Sequence, residues 1–264
     1  MSSSEEEGLS TQTIRIQRQQ QIADLLRTHS SLRVMPLSQL LGVSSMTIRR
    51  DLEELEASGV LQRVHGGAVL AQRAEFARRT VNQKDEKQRI ARAIAATVSD
   101  GETLLLDIGT SVFYVARELR VRRNLVVVTN SINAALELAD TLNRVILVGG
   151  VLQVRAERSL IGPLAAQIIR QFRVDKLILG CGGVHLDRGI VYYDIEETEV
   201  RRVMTEVAKT VIVAADHTKF DKDLLISLGP LEIASTIVTG RSPGDVMEAA
   251  LRERGVELKV AATD

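Results

Sequence analysis

The sequence predicts an α/β protein of two domains, a small helical N-terminal domain with a β-hairpin and a larger C-terminal domain around a mostly parallel sheet. Three observations predict this architecture. The chain has 264 residues, whereas one hydrophobic core typically serves about 100 to 200. Apolar residues recur with helical spacing before residue 60. From about residue 90 onward, strand-like apolar runs alternate with helix-like runs.

Three short helices are predicted in the N-terminal domain. Apolar residues share one face between residues 10 and 29, which predicts the first helix. Pro36 is tolerated at a first helical position and Gly42 suits a helix end, so a brief second helix is expected between them. Ser44 is a favourable N-cap, and the third helix is expected to run from it to about Ser58.

A hairpin and a polar connection are predicted after these helices. Residues 60–70 are β-like, and the Gly66-Gly67 pair is typical of a turn. Residues 71–83 are rich in Arg and Gln and are expected to link the two domains. The predicted organisation is a disordered tail over residues 1–12, an N-terminal domain over 13–70, the linker, and a C-terminal domain over 84–264.

The C-terminal domain is predicted from a repeated alternation of segments. Strand-like segments that are apolar along their whole length precede helix-like ones, as in TLLLD before YVARELR and LVVVTN before NAALELAD. Strands that are apolar on both faces, with helices between them, are typical of a parallel sheet covered on each side. Ligands of such open sheets bind beyond the carboxyl ends of the strands.

Composition and charge exclude several classes of protein. Basic and acidic residues number 34 each, so any affinity for nucleic acid has to come from local placement of charge. Aromatic residues make up 3% of the chain, too few for base-stacking RNA-binding modules. Cys181 is the only cysteine and the 4 histidines are dispersed, so no disulfide, metal site or cofactor is expected. A polar, acidic start and the lack of an apolar run of ~18 residues predict a cytoplasmic protein without membrane contact.

Charge divides sharply along the third predicted helix. With Ile48 and Leu52 facing the core, Met46 and Arg50 point outward. The first half carries Arg49 and Arg50 and the second half is acidic, so only its beginning suits DNA phosphates or base edges. This matches a helix-turn-helix, whose second helix presents its N-terminal residues to the major groove. On spacing alone, a small helical bundle with solvated arginines is an equally open interpretation.

The N-terminal domain resembles the DNA-binding signature of DeoR-family regulators. The resemblance is carried, in order and spacing, by Arg18, Ile22, Leu26, Ser44, Thr47-Ile48-Arg49-Arg50-Asp51-Leu52, Gly59 and Arg63-Val64-His65-Gly66-Gly67-Ala68. It implies a winged helix-turn-helix in which the third helix is the recognition helix and the hairpin is the wing. The implied partner is double-stranded operator DNA. The expected DNA-binding residues are Ser44, Ser45, Met46, Thr47, Arg49, Arg50, His65, Gly66 and Gly67.

Five polar or glycine-containing segments stand where predicted strands end. They are Asp107-Ile108-Gly109-Thr110-Ser111, Thr129-Asn130-Ser131, Val148-Gly149-Gly150, Gly180-Cys181-Gly182-Gly183 and Asp216-His217-Thr218-Lys219. Each is expected to lie between a strand and a helix, where helix N-termini favour anions. Hydroxyl groups and a lysine suit phosphate or sugar oxygens. The expected effector-binding residues are Asp107, Gly109, Thr110, Ser111, Thr129, Asn130, Ser131, Gly149, Gly150, Gly182, Gly183 and Lys219.

The C-terminal domain is also similar to that of the DeoR family, over nearly all of residues 80–260. The similarity is carried by the segments that contain Asp107, Thr129, Gly149 and Asp216, and by Glu196-Glu197-Thr198-Glu199-Val200. It implies a fold related to ribose phosphate isomerases and CoA transferases, and a sugar phosphate or similar metabolite as effector. Ser111 keeps the hydroxyl of the usual threonine, whereas the Tyr192-Tyr193 pair replaces smaller residues.

The predicted function is that of a regulator and not of an enzyme. An isomerase needs a carboxylate as general base beside the sugar carbons, and no acidic cluster follows the glycine loop at residues 180–183. We expect a repressor of a carbohydrate catabolic operon that a phosphorylated sugar relieves. The alternatives are an activator or dual regulator and, more distantly, a sugar-phosphate isomerase with an added DNA-binding domain. One recognition helix reads few base pairs, so a homodimer or homotetramer is expected.

Overall fold

The computed structural model describes residues 15–26, 29, 31–153 and 158–262, with the backbone alone for 70–75. The chain divides into two compact units, one up to Arg78 and one from Arg79 onward. This division falls inside the segment predicted to link two domains, residues 71–83. The predicted tail over residues 1–12 lies outside the described residues.

The N-terminal unit contains the three predicted helices and the predicted hairpin. Its elements are α1 over residues 15–26, β1 Leu32–Arg33, α2 Val34–Leu41, α3 Ser45–Ala57, β2 Leu61–Val64, β3 Gly67–Leu70 and the beginning of α4, Ala71–Val81. Strand β1, which the sequence pattern did not predict, adds to the hairpin in the antiparallel order β1-β3-β2. Buried side chains from α1, α2, α3 and the hairpin form one core, among them Ile22, Leu26, Leu37, Ile48, Leu52 and Leu61.

Helix boundaries in this unit follow local backbone chemistry. Gly42 ends α2 in the left-handed region with φ of 64°, as expected for a terminal glycine. The Ser44 hydroxyl accepts a hydrogen bond from the Thr47 amide at 3.1 Å and caps α3. The predicted start of the second helix at Pro36 is wrong, because α2 begins at Val34. Proline is tolerated as the third residue because amide groups of the first turn have no partner within the helix.

The C-terminal unit is built around a seven-stranded sheet. Its elements are α5 Lys84–Ala95, β4 Thr103–Leu106, α6 Thr110–Glu118, β5 Val126–Thr129, α7 Ile132–Leu138, β6 Arg144–Leu147, β7 Val151–Gln153, β8 Ser159–Ile161, α8 Pro163–Ile169, β9 Val174–Gly180, β10 Gly183–His185, β11 Gly189–Tyr192, α9 Ile195–Val207, β12 Ala208–Ala214, β13 Ile226–Gly229, β14 Thr236–Thr239, α10 Asp245–Glu253 and β15 Glu257–Val260. The strand order is β15-β14-β12-β9-β4-β5-β6. Every neighbouring pair is parallel, which confirms the predicted α/β fold.

Helices cover both faces of this sheet, as the continuous apolar strands predict. On one face, Leu104 and Leu106 of β4 share a core with residues of α5, α6 and α7. On the other face, Leu105 shares a core with residues of α8, α9 and α10. Successive strand residues point to opposite faces, so a strand buried on both sides is apolar at every position.

Two small antiparallel sheets, of order β10-β11-β13 and β7-β8, were not predicted from the sequence. They correct the expectation that all five strand-end segments lead into a helix. Gly149-Gly150 leads into β7, Gly183 begins β10, and Asp216 leads into a 3₁₀ turn over His217–Lys219. Strands of three or four residues lack the length that makes a periodic pattern recognisable. Among the described residues, no helix combines the length and the hydropathy needed to cross a membrane.

Candidate functional site

Helix α3 presents its N-terminal half to solvent. Ile48 and Leu52 are buried in the core, as predicted, and Met46 on the opposite side is 61% exposed. Arg49 and Arg50 are exposed, and neither forms an ion pair with any described residue. These two guanidinium groups are therefore available to a polyanion.

The acidic half of α3 is neutralised by partners within the unit. Asp51 is buried and receives two hydrogen bonds from Arg18 of α1, at 2.5 and 3.0 Å. Glu54 pairs with Arg15 at 2.7 Å. The sequence pattern predicted carboxylates that would repel phosphate, whereas in the structure Asp51 and Glu54 pair with residues of α1 and hold it against α3.

The wing is fastened to the same helix. The Arg63 amide donates to Glu56 Oε1 at 2.7 Å, and the Arg63 guanidinium pairs with Glu53 at 2.7 Å. Gly66 occupies the turn with φ of 76°, a conformation that favours glycine. A Cβ on Gly67 would lie 2.0 Å from the Leu32 carbonyl oxygen, so glycine is required where β3 meets β1. The predicted DNA-contact residues of the wing are therefore held in register with α3.

The strand-end segments of the C-terminal unit lie at one edge of the sheet. Strands β12, β9, β4, β5 and β6 are adjacent and parallel, so their carboxyl ends share that edge. The segment after β4 begins at Asp107 and the segment after β5 contains Asn130. Their strands pair Leu106 with Thr129, which makes Asp107 and Asn130 lateral neighbours.

The polar side chains of the segment after β5 are hydrogen-bonded to backbone groups of the protein. The Thr129 hydroxyl donates to the Leu106 carbonyl at 2.7 Å and accepts from the Ser131 amide at 3.0 Å. Ser131 caps α7 through the Ala134 amide at 3.2 Å. Asn130 donates to the Leu160 carbonyl at 3.2 Å. The hydroxyls predicted to meet an effector here already have partners in the protein.

The segment after β4 is different, because its hydroxyls have no hydrogen-bond partners in the part of the chain that the structure describes. Gly109 precedes α6 with φ of 120°, a conformation that favours glycine. Thr110 and Ser111 form the first turn of α6, and their hydroxyls make no hydrogen bond to any described residue. A helix N-terminus with two uncommitted hydroxyls is suited to an oxyanion.

A buried ion network lies next to this turn, centred on a residue that sequence reasoning missed. Arg201 of α9 donates to Asp107 Oδ2 at 2.9 Å and pairs with Glu197 at 3.2 Å. The Tyr192 ring lies 4.2 Å from the guanidinium, and its hydroxyl donates to the Gly180 carbonyl at 2.6 Å. Burial disfavours the charge of Arg201, but Asp107 beside it raises the guanidinium pKa overall. The available signal was an arginine next to the apolar residues Val200, Val203 and Met204 in a helix.

The remaining charges of the edge surround Cys181. Burial raises the pKa of the Cys181 thiol to about 12, and Lys219 and Arg201 oppose this shift while Asp216 and Asp107 reinforce it. Lys219 forms no ion pair with any described residue. The edge therefore brings together Lys219, Arg201 and the free hydroxyls of α6, but no group of His, Cys, Asp or Glu in the described chain has the arrangement of a metal site.

Close packing within the protein requires three of the four glycines predicted at positions 149, 150, 182 and 183. A Cβ on Gly150 would lie 2.7 Å from the Ile161 carbonyl oxygen, where β7 pairs with β8. A Cβ on Gly182 would lie 2.7 Å from the Val191 carbonyl oxygen, and one on Gly183 would lie 2.5 Å from the Lys222 side chain. A Cβ on Gly149 would make only an ordinary contact, 3.5 Å from Ile168. Packing alone accounts for glycine at three of these positions.

Two acceptors at the edge are buried without hydrogen-bond donors among the described residues. They are Oδ1 of Asp107 and Oδ1 of Asn130, on side chains that are 1% and 2% exposed. A buried polar atom without a partner costs about 1–3 kcal/mol. Donors from a bound molecule would recover this energy, provided that the loops open enough to admit it.

Comparison with known proteins agrees with both halves of the fold. Residues 18–74 match the model of the DeoR-like helix-turn-helix domain, and residues 82–241 match that of the DeoR C terminal sensor domain. The chain is 39% identical to the transcriptional repressor AccR of Agrobacterium fabrum, covering 88% of this chain and 92% of that protein. It is 33% identical to the glycerol-3-phosphate regulon repressor of Escherichia coli, covering 92% of this chain and 98% of that one.

Among solved structures, ribose 5-phosphate isomerase A from Methanocaldococcus jannaschii matches with a TM-score of 0.40 and 16% identity, over 52% of this chain and 55% of that chain. Similarity at that level carries no information about chemistry. The two family matches cover α3, the hairpin β2-β3 and the sheet edge formed by the carboxyl ends of the strands, which we call the sensor edge. The two relatives are named as repressors, and the similarity extends over nearly their whole length. The prediction of a DNA-binding regulator is confirmed: the chain belongs to the DeoR family of transcriptional regulators.

Proposed function

We propose that the chain represses a carbohydrate catabolic operon in the cytoplasm, and that a phosphorylated sugar releases it from operator DNA. The observation that carries the effector half is the set of uncommitted groups at the sheet edge. Thr110 and Ser111 offer hydroxyls at the start of α6, and Lys219 offers a positive charge from the segment after β12. The name of the Escherichia coli relative, a glycerol-3-phosphate regulon repressor, supports a phosphorylated polyol or sugar.

The proposed effector would be held by two kinds of group. Its phosphate would lie at the N-terminus of α6 with Lys219 as counter-charge. Its hydroxyls would donate to Oδ1 of Asp107 and Oδ1 of Asn130, the acceptors that have no donor in the described protein. Gly109 would allow the backbone to approach closely. Thr129, Ser131 and the glycines at 149, 150, 182 and 183 would shape the surrounding loops.

The route that we propose from this edge leads to residues 79–82, which are the last three residues of α4 and the residue after it. His217, in the same turn as Lys219, contacts buried Glu86 of α5 through its backbone amide at 2.8 Å and its ring at 2.5 Å. The next residue, Lys87, donates to the carbonyls of Arg79 at 2.7 Å and Asn82 at 2.8 Å.

A second contact reaches the same residues from α6. The Tyr114 hydroxyl, one turn beyond the free hydroxyls of Thr110 and Ser111, donates to the Thr80 carbonyl at 3.1 Å. Both segments proposed to hold the effector are thus bonded to the connection that leads toward the DNA-binding unit. Coupling of about 1 to 3 kcal/mol through such contacts would change operator affinity roughly 5- to 150-fold.

Footprinting tests repression and effector together. The full chain would be footprinted on its own genomic neighbourhood, with pentose, hexose and glycerol phosphates added one at a time. We expect a protected site overlapping a promoter, lost with one phosphorylated compound and retained with its unphosphorylated form. A site that no compound in the panel weakens would contradict the proposed effector class. Falling transcription from that promoter after deletion of the gene would contradict repression and identify an activator.

Oligomerisation completes the proposal, because one α3 contacts too few base pairs for genomic specificity. We expect a homodimer or homotetramer in sedimentation, with and without DNA. If a dimer neutralises about eight phosphates, a plot of the logarithm of its affinity against the logarithm of the salt concentration should have a slope of about −7. A monomer at micromolar concentration on operator DNA would contradict this part.

A further inference from the structure

A cleft of about 290 Å³ lies between the recognition helix and the wing. Arg49 of α3 lines one side, and Arg63, His65 and Gly66 of the wing line the other. Buried Leu52 contributes to its apolar wall. All of these residues belong to the N-terminal unit, and the ion pairs and strand pairing described above hold the two sides together.

Several donors of the residues that line this cleft have no acceptor among the described residues. Arg49 and His65 form no ion pair with a described residue, and the amides of His65 and Gly66 donate to none of them. Arg63 also lines the cleft, but its guanidinium already forms an ion pair with Glu53. Positive charge and free N–H groups beside an apolar wall favour an anion, since the wall lowers the local dielectric.

Arg50 does not line the cleft, although it follows Arg49 directly. Successive residues of a helix point about 100° apart, so the side chains of the two arginines leave the helix in different directions. Phosphate contacts fix the position of a protein on DNA, whereas contacts to base edges carry sequence information. The two neighbouring arginines therefore have different targets.

We propose that a phosphate of the DNA backbone occupies the cleft, and that Arg49 is a backbone-binding residue with Arg50 left to read base edges. The Arg49 guanidinium and the His65 and Gly66 amides hold the phosphate oxygens. The phosphate fixes the depth at which α3 enters the groove. This inference depends on DNA binding alone and not on repression or on an effector.

The test compares Arg49→Gln with Arg50→Gln in the full chain. Binding to a short duplex of random sequence is measured by fluorescence anisotropy over a range of KCl concentrations. We expect Arg49→Gln to reduce the salt slope by about 0.9 for each bound protomer and to weaken binding about eightfold for each bound protomer at 0.1 M salt, which is about sixtyfold for a dimer. The same factor should apply to a duplex selected for tight binding. Arg49→Lys should restore the slope, because a lysine also neutralises a phosphate.

Arg50→Gln is the matched control, with the same change of charge at a neighbouring exposed position. It should keep the salt slope on random duplex and relax base preference at one position of the selected site. Neutralising single phosphates of the selected duplex as methylphosphonates should reveal one position that weakens the wild-type chain but not Arg49→Gln. An unchanged salt slope in a folded Arg49→Gln chain, or a loss confined to particular bases, would overturn the proposal.

Discussion

The two units of the chain differ in where they keep their candidate binding groups. In the DNA-binding unit, Arg49 and Arg50 are exposed and free of ion pairs with described residues. In the sensor unit, Asp107 and Asn130 are 1% and 2% exposed, and Arg201 is buried between two carboxylates. A surface that binds a polyanion needs no rearrangement, whereas buried acceptors meet a ligand only after their loops move. At the proposed effector site, this burial would make occupancy and the conformation of the loops interdependent.

The largest expected effect tests burial of the sensor edge without any substitution. Burial raises the pKa of Cys181 to about 12, so about one thiol in ten thousand is ionised at pH 8, against roughly a quarter at the ordinary pKa of about 8.5. A more basic thiolate is a stronger nucleophile, which offsets part of this difference, so alkylation of the native chain at pH 8 should be about a hundredfold slower than alkylation of the urea-unfolded chain. It should speed up with pH well beyond pH 9. Native and unfolded rates within tenfold of each other would show that the edge is open to water.

The next prediction compares the stability lost on breaking a buried ion pair with that lost on breaking an exposed one. Arg201→Met leaves Asp107 and Glu197 without their counter-charge in a buried site, so we expect a loss of about 3–5 kcal/mol in the free energy of unfolding. Urea denaturation followed by circular dichroism measures it. Adding Asp107→Asn to the same chain should recover part of the loss, because it removes an unpaired buried charge.

The control for Arg201→Met comes from the other unit. Arg15 pairs with Glu54 at 2.7 Å, with side chains that are 52% and 42% exposed. Arg15→Met should change the free energy of unfolding by less than about 1 kcal/mol, because water solvates both groups once they separate. Equal losses in the two variants would remove the distinction between the units.

A smaller effect tests the route between the sensor edge and residues 79–82. Tyr114→Phe removes the hydrogen bond to the Thr80 carbonyl and keeps the ring, a change of about 0.5–1.5 kcal/mol. The ratio of operator dissociation constants with and without the releasing sugar phosphate should fall about two- to tenfold. Affinity for that compound in the absence of DNA should change less than this ratio.

Tyr193→Phe is the matched control for this prediction. Tyr193 is 71% exposed and lies on the same unit, so the same loss of a hydroxyl should leave the ratio unchanged. A ratio that is also unchanged in Tyr114→Phe would place the coupling elsewhere and would leave the effector site itself unaffected.

The same contrast explains what the sequence could predict. Helix α3 was recognisable because the spacing of Ile48 and Leu52, the Ser44 cap and the adjacent arginines are local features of one helix. The parallel sheet was recognisable because strands buried on both faces are apolar throughout. Arg201 was not recognisable as part of the site, because its partner Asp107 is 94 residues away in sequence. Sequence spacing carries no information about pairings made by the tertiary fold.

Asp51 illustrates the same limit within the predictable unit. Its position on α3 suggested an acidic surface, but its partner Arg18 lies on α1, 33 residues away. The short strands β7, β8, β10 and β11 were missed for a related reason. Their pairing is set by close backbone approach at Gly150, Gly182 and Gly183 and not by an alternating apolar pattern.

Two helix caps with the same chemistry extend the comparison to single hydrogen bonds. Ser44 caps α3 through the Thr47 amide and is exposed, and Ser131 caps α7 through the Ala134 amide and is 4% exposed. Substitution of an N-cap serine by alanine typically costs about 1 kcal/mol. Water can replace the lost acceptor at Ser44 but not at Ser131, where the Ala134 amide would stay buried without a partner. We therefore expect Ser131→Ala to lose about 2 kcal/mol in urea denaturation and Ser44→Ala about 0.5 kcal/mol. Ser44→Asp should retain the cap and full stability, and a larger loss for Ser44→Ala than for Ser131→Ala would show that burial does not separate the two units.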